Sequence, residues 1–97
     1  MSESDLMSLP EIGAVTAKQL VMVGIDTPAE LRTVGSKEAF LRIRDQLDPG
    51  ACTALLHGLE AAVQGVRARD LEPQVRTDLN QWKKDMDWDT DKLSHVE

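Results

Sequence analysis

"LPEIGAVTAKQLVMVGIDTPAEL", Leu9 to Leu31, reads as two short helices joined by a glycine-containing turn. Leu9-Pro10 opens the stretch after a polar lead, and Val15, Leu20, Val21 and Ile25, with Ala14 and Ala17 between them, follow helical spacing up to Gly24. Gly24 is the expected stop, because glycine tolerates the left-handed conformation that ends a helix, and Ile25 beyond it can fold back on the last turn. The next start is plain in Thr27-Pro28-Ala29-Glu30: a hydroxyl N-cap, proline at the first helical position, and a glutamate three residues after the cap. Leu31 and Val34 then face inward and Gly35 closes a helix of one to two turns.

Outward from this stretch the same signals repeat. Ser36 is read as the cap of a third helix, "SKEAFLRIRDQL", in which Phe40, Ile43 and Leu47 recur at three and four residues. Asp48-Pro49 is read as the launch of the longest helix, "GACTALLHGLEAAVQG", with Ala51, Leu55, Leu59, Ala62 and Val63 on one stripe and Gly65 at the stop. Glu72-Pro73 starts a last segment in which Val75, Leu79, Trp82 and Met86 form an apolar seam. No period-2 alternation or hairpin dipeptide is present, so strands are not expected. The prediction is an all-α fold, a single compact five-helix domain over residues 9–86. A flexible polar lead, 1–8, precedes it and a flexible acidic tail, 87–97, follows.

Composition narrows the classes of function. A chain of 97 residues can build a helical core without metals or cross-links, and neither a metal nor a cofactor is expected. Aromatics are only 3%, so the core must come from Leu, Val, Ile, Ala and Met. The lone Cys52 cannot form an internal disulfide, which fits a reducing compartment, and it is read as a small core residue. The lead "MSESDLMS" is acidic rather than basic then apolar, and no apolar run reaches the length of a membrane span. A cytoplasmic location and no membrane partner are expected. The net charge of −6 argues against binding DNA by bulk electrostatics, since Lys and Arg neutralising phosphates supply most non-specific affinity. The acid excess lies toward the ends, for residues 36–71 hold five bases and five acids.

The order of these elements resembles a known family. "LPEIGAVTAKQLVMVGI" is similar to the helix-hairpin-helix pattern, and "VGIDTPAELRTVGSKEAFLRIRDQL" followed by "ALLHGLEAAVQG" resembles the C-terminal domain of the TfoX/Sxy family of competence regulators. The corresponding positions are Leu9-Pro10, Ile12-Gly13, Gly24-Ile25 with Thr27 and Leu31, Gly35 with Ala39, and Leu59-Glu60 with Ala62 and Gly65. The resemblance covers roughly residues 8 to 80 and implies a bacterial protein with a role in competence (DNA transformation), transcription regulation or another DNA-related process. Two positions depart from the pattern. Glu11 stands where a helix-hairpin-helix turn has its first glycine, and Ala61 where a glycine often follows the glutamate of the long helix.

Two functional readings follow. In one, the N–H groups of Gly13, Ala14 and Val15 at a helix start receive a phosphate. Lys18 then assists, and Arg42 and Arg44 extend a basic face over which Arg32, Lys37, Arg67 and Arg69 are also candidates. In the other, which Glu11 and the overall acidity favour, the hairpin is a packing device in a non-enzymatic interaction or regulatory module. A protein partner, or self-association, then uses an apolar groove between the long helix and the last segment. Gly13, Gly24, Thr27, Gly35, Glu60 and Gly65 are its structural residues, with Gly13, Ala14 and Ala17 letting helices approach and Glu60 pointing inward to cap a neighbouring helix. No enzyme is expected: His57 and His95 lack a nucleophile or acid at a supporting offset. Asp85, Asp87, Asp89 and Asp91 suggest a calcium loop, but Thr90 replaces its turn glycine and Val96 its bidentate glutamate.

Overall fold

The computed structural model describes the backbone of residues 2–94 and the side chains of residues 4–87. Six helices follow in order: α1 (Ser2–Met7), α2 (Ala14–Met22), α3 (Pro28–Val34), α4 (Ser36–Gln46), α5 (Thr53–Gln64) and α6 (Pro73–Ser94). A 3-10 turn, Ala68–Asp70, lies between α5 and α6. No strand occurs among the described residues, and the expected all-α class is found. None of these helices is long and apolar enough to cross a membrane.

Each junction has a local cause. α2 ends as the sequence suggests: Gly24 lies at φ 87, Ile25 N–H returns to Leu20 O at 2.8 Å, and Gly24 N–H reaches Val21 O at 3.0 Å. Thr27 caps α3, its Oγ1 accepting the Glu30 N–H at 3.1 Å ahead of Pro28. Gly35 closes α3 and opens α4 in one residue, at φ 89 and ψ 160, a region open essentially to glycine alone. Ser36 is therefore the first helical residue of α4 rather than its cap.

Four further expectations are corrected. The lead is not outside the fold: α1 is helical, packs on α2, and buries Leu6 completely. A stretch that looks polar by composition still carries one apolar residue on its inner face. Asp48-Pro49 does not launch α5. Asp48 Oδ1 accepts the Gly50 N–H at 3.1 Å and closes a turn, and α5 begins four residues after Pro49, at Thr53. The buried residues of α5 are Leu56, Leu59, Ala61 and Ala62, with Leu55 and Val63 of the expected stripe only half-buried. Finally, the longest helix is α6, 22 residues and about 33 Å by the helical rise. Its helical backbone continues through residues 87–94, in the segment read as a tail; residues 95–97, with His95, lie outside the described residues.

The core gathers one face from each helix. Phe40, Leu6, Leu20, Ile25, Leu31, Ile43, Leu56 and Leu59 are its largest fully buried side chains. α6 adds Leu79 and lays Trp82 edge-on against Phe40, with centroids 6.1 Å apart. Lys37 Nζ sits 5.7 Å from the Trp82 ring centroid and Arg44 Cζ 5.9 Å from that of Phe40, so cations of α4 flank the aromatic pair that holds α6.

Candidate interaction face and the hairpin turn

The hairpin turn is built around Glu11. Leu9 N–H bonds Leu6 O at 3.0 Å and Ile12 N–H bonds Leu9 O at 3.4 Å. Glu11 then takes φ 67, the one positive value at a non-glycine among the described residues. It occupies the left-handed position that suits a glycine. Its Oε2 accepts the Ala68 N–H at 3.0 Å, so the carboxylate is engaged at the 3-10 turn. Beneath it Gly58 of α5 leaves room: a Cβ there would stand 3.6 Å from Glu11 Cβ. Gly13 differs from expectation. It is extended (φ −91, ψ −175) and a Cβ added to it would meet nothing within 4 Å, so neither backbone freedom nor close approach requires glycine there. Ala14 is exposed, and of the three small residues Ala17 alone is buried in the helix contact.

The candidate phosphate contacts do not assemble. Gly13, Ala14 and Lys18 belong to the first turns of α2 and are exposed. Arg42 reaches the other end, donating from Nη1 to Val23 O at 3.3 Å, about 15 Å away along the helix axis by the rise per residue. Its Nε is paired with Glu38 at 3.0 Å. Arg44 points elsewhere still, with Nη1 on Asp87 Oδ1 at 3.0 Å and only 14% of its side chain exposed. Lys83 binds the same Asp87 at 2.8 Å. The two arginines of the predicted basic face thus brace α4 against α2 and α6.

Apolar exposure is concentrated in another place. Val15 is 73% exposed and Met22 59%, and at seven residues' separation they lie on one side of α2. Lys18 stands between them, and Met7, 46% exposed, ends the helix packed on α2. The inward position that the apolar spacing suggests for Val15 is thereby corrected. Where α2 stops, a cleft of about 420 Å³ opens, lined by Gly24, Ala29, Glu30, Thr33, Val34 and Arg42. A second, of about 250 Å³, lies between the hairpin turn and α5, lined by Glu11, Ile12, Thr16, Ala54, Leu55, Gly58 and Leu59. The groove expected between α5 and the last segment is filled instead, for Leu79 is buried there and His57 Nε2 meets Asn80 Oδ1 at 2.7 Å.

The family model of the TfoX C-terminal domain matches residues 2–83, nearly the whole described fold including α1. The chain belongs to that family. Two solved structures are similar to this TfoX C-terminal domain, both from Listeria monocytogenes. A triclinic crystal form of an uncharacterised protein is 43% identical, with a TM-score of 0.82, over 84% of this chain and 92% of that one. A tetragonal form of a protein of unknown function is 42% identical, with a TM-score of 0.78, over 87% and 98%. No curated protein matches the chain.

A polar pair in this TfoX C-terminal domain also holds two helices together. Glu60, half-buried on α5, accepts Ser36 Oγ–H at 2.6 Å through Oε1 and Gln64 Nε2–H at 2.7 Å through Oε2, which fixes the start of α4 beside α5. Sequence reasoning missed Ser36 as its partner because Ser36 looked like a cap. Cys52 is exposed, not a core residue: it precedes α5 on the outer surface. The backbone N–H groups of Leu55 and Ala54 draw its thiol below the ordinary value, although the sulfur makes no cap hydrogen bond of ordinary geometry. No cluster of three or more His, Cys, Asp or Glu suited to a metal occurs among the described residues. Asp85 accepts from Gln81 and Asp87 binds Arg44 and Lys83, on a helix rather than a calcium-type loop.

Proposed function

We propose that the domain is a non-enzymatic cytoplasmic regulatory module that acts by protein contact through the outer face of α2, in keeping with the competence regulators that it resembles. The observation that carries this reading is the exposure of Val15 and Met22 on one stripe, with Met7 at the neighbouring helix end, while Arg42 and Arg44 are bound inside the domain. Large apolar side chains left exposed along one side of a helix favour a protein surface that covers them. The charge of −6 and the Glu11 carboxylate at the turn work against phosphate.

A second reading keeps one supporting feature. The N-cap Gly13 supplies no side-chain acceptor, so the first N–H groups of α2 face outward beside exposed Lys18. Titration of labelled duplex DNA at physiological salt separates the two. The protein-contact reading expects binding weaker than micromolar with a shallow salt slope. A sub-micromolar, salt-steep affinity that is lost on Lys18→Ala would overturn it in favour of the nucleic-acid reading.

A further inference from the structure

Backbone strain at a non-glycine residue persists only where the surroundings hold it, and Glu11 is that residue here, at φ 67. What holds it lies 57 positions along the chain, where its Oε2 accepts the Ala68 N–H at 3.0 Å. Ala68 is gripped from its other side as well. Arg76 Nη2 donates to Ala68 O at 3.3 Å and to Arg69 O at 2.5 Å. Arg76 itself sits in the first turn of α6, its N–H bonded to Glu72 O at 3.1 Å. A carboxylate on the N–H and a guanidinium on the carbonyl of one residue are both charge-assisted contacts, stronger than the two short-range bonds, Asp70 N–H to Arg67 O and Leu71 N–H to Ala68 O, that form the 3-10 turn.

We propose that Glu11, Ala68 and Arg76 form a latch that ties the base of α6 to the hairpin turn, so that release of the turn loosens the connector and the first turns of α6. The device links the N-terminal hairpin to the helix whose Trp82 and Leu79 cover Phe40 and the α5 surface. It also explains why a residue that tolerates positive φ poorly occupies the turn. A glycine would relax the backbone but leave the Ala68 N–H without its acceptor.

Amide hydrogen exchange on the full chain tests this, comparing the native protein with Glu11→Gly, Glu11→Gln, Arg76→Met and the Glu11→Gly/Arg76→Met double variant. Losing a charge-assisted partner is expected to speed exchange at Ala68 and Leu71 about tenfold or more in either Glu11→Gly or Arg76→Met. The double variant is expected to exchange no faster than the quicker single one, because either break opens the same latch. Glu11→Gln, which keeps an acceptor oxygen and loses the charge, is expected to fall between, with α4 amides unchanged throughout. Ala68 exchange within twofold of native in Glu11→Gly, or effects of the two single variants that multiply in the double, would overturn the proposal.

Discussion

Gly35→Ala is expected to be among the most costly single-methyl changes on this surface. The residue joins α3 to α4 at φ 89 and ψ 160, and nothing lies within 4 Å of the added Cβ. The penalty is therefore conformational alone, with no clash to relieve and no contact to gain. Holding an alanine in a region that only glycine populates costs about 1–3 kcal/mol, which for a domain of this size lowers the melting temperature by roughly 5–20 °C. The comparison variant is Gly13→Ser. Gly13 is extended, also with open space around its Cβ, and as N-cap it offers α2 no side-chain acceptor. Serine there supplies that acceptor and narrows the unfolded ensemble, so the variant is expected to be neutral or up to about 1 kcal/mol more stable. Thermal and urea unfolding of the three proteins measures both. A Gly35→Ala protein within about 0.5 kcal/mol of native, the ordinary range of harmless surface changes, would refute the reasoning. So would a Gly13→Ser protein destabilised as much as Gly35→Ala.

Leu6→Ala removes a fully buried side chain of α1 and is expected to cost about 2–5 kcal/mol by urea unfolding, whereas an unchanged midpoint would return residues 1–8 to the status of a lead. Cys52 should alkylate with a pH midpoint below that of a free thiol, because α5 N–H groups favour its thiolate. By linkage, a folded-state value below the unfolded one adds stability that is full above the unfolded value and is lost as pH falls through the folded one. An alkylation midpoint at or above that of free cysteine contradicts both statements.

Much of the fold is legible in local chemistry. The Thr27-Pro28-Glu30 start and the Gly24-Ile25 stop act within a few residues, and both form as the spacing suggests. What sequence spacing conceals is any partner distant along the chain. Ser36 reads as a cap until Glu60 of α5 is beside it. Asp48-Pro49 misleads for a local reason instead, since the Asp48 carboxylate accepts the Gly50 N–H in a turn rather than capping a helix. Glu11 reads as a carboxylate opposing an anion, and its engagement with Ala68 depends on the packing of α5 and the connector. The exposed face has a trace in the sequence, since Val15, Lys18 and Met22 fall on one side of a helix and a lysine marks the outer side. Counting Val15 as apolar, without asking which side Lys18 occupies, places it in the core.

The protein-contact reading meets its most direct test in capture from an extract of the native cell, treated with nuclease, on immobilised native domain and on a Val15→Ser/Met22→Ser variant shown by melting to be folded. The expected result is a protein retained by the native domain whether or not nuclease is added, and not retained by the variant. Retention that vanishes on nuclease treatment and is indifferent to Val15 and Met22 would contradict the proposal that α2 presents a protein-binding face.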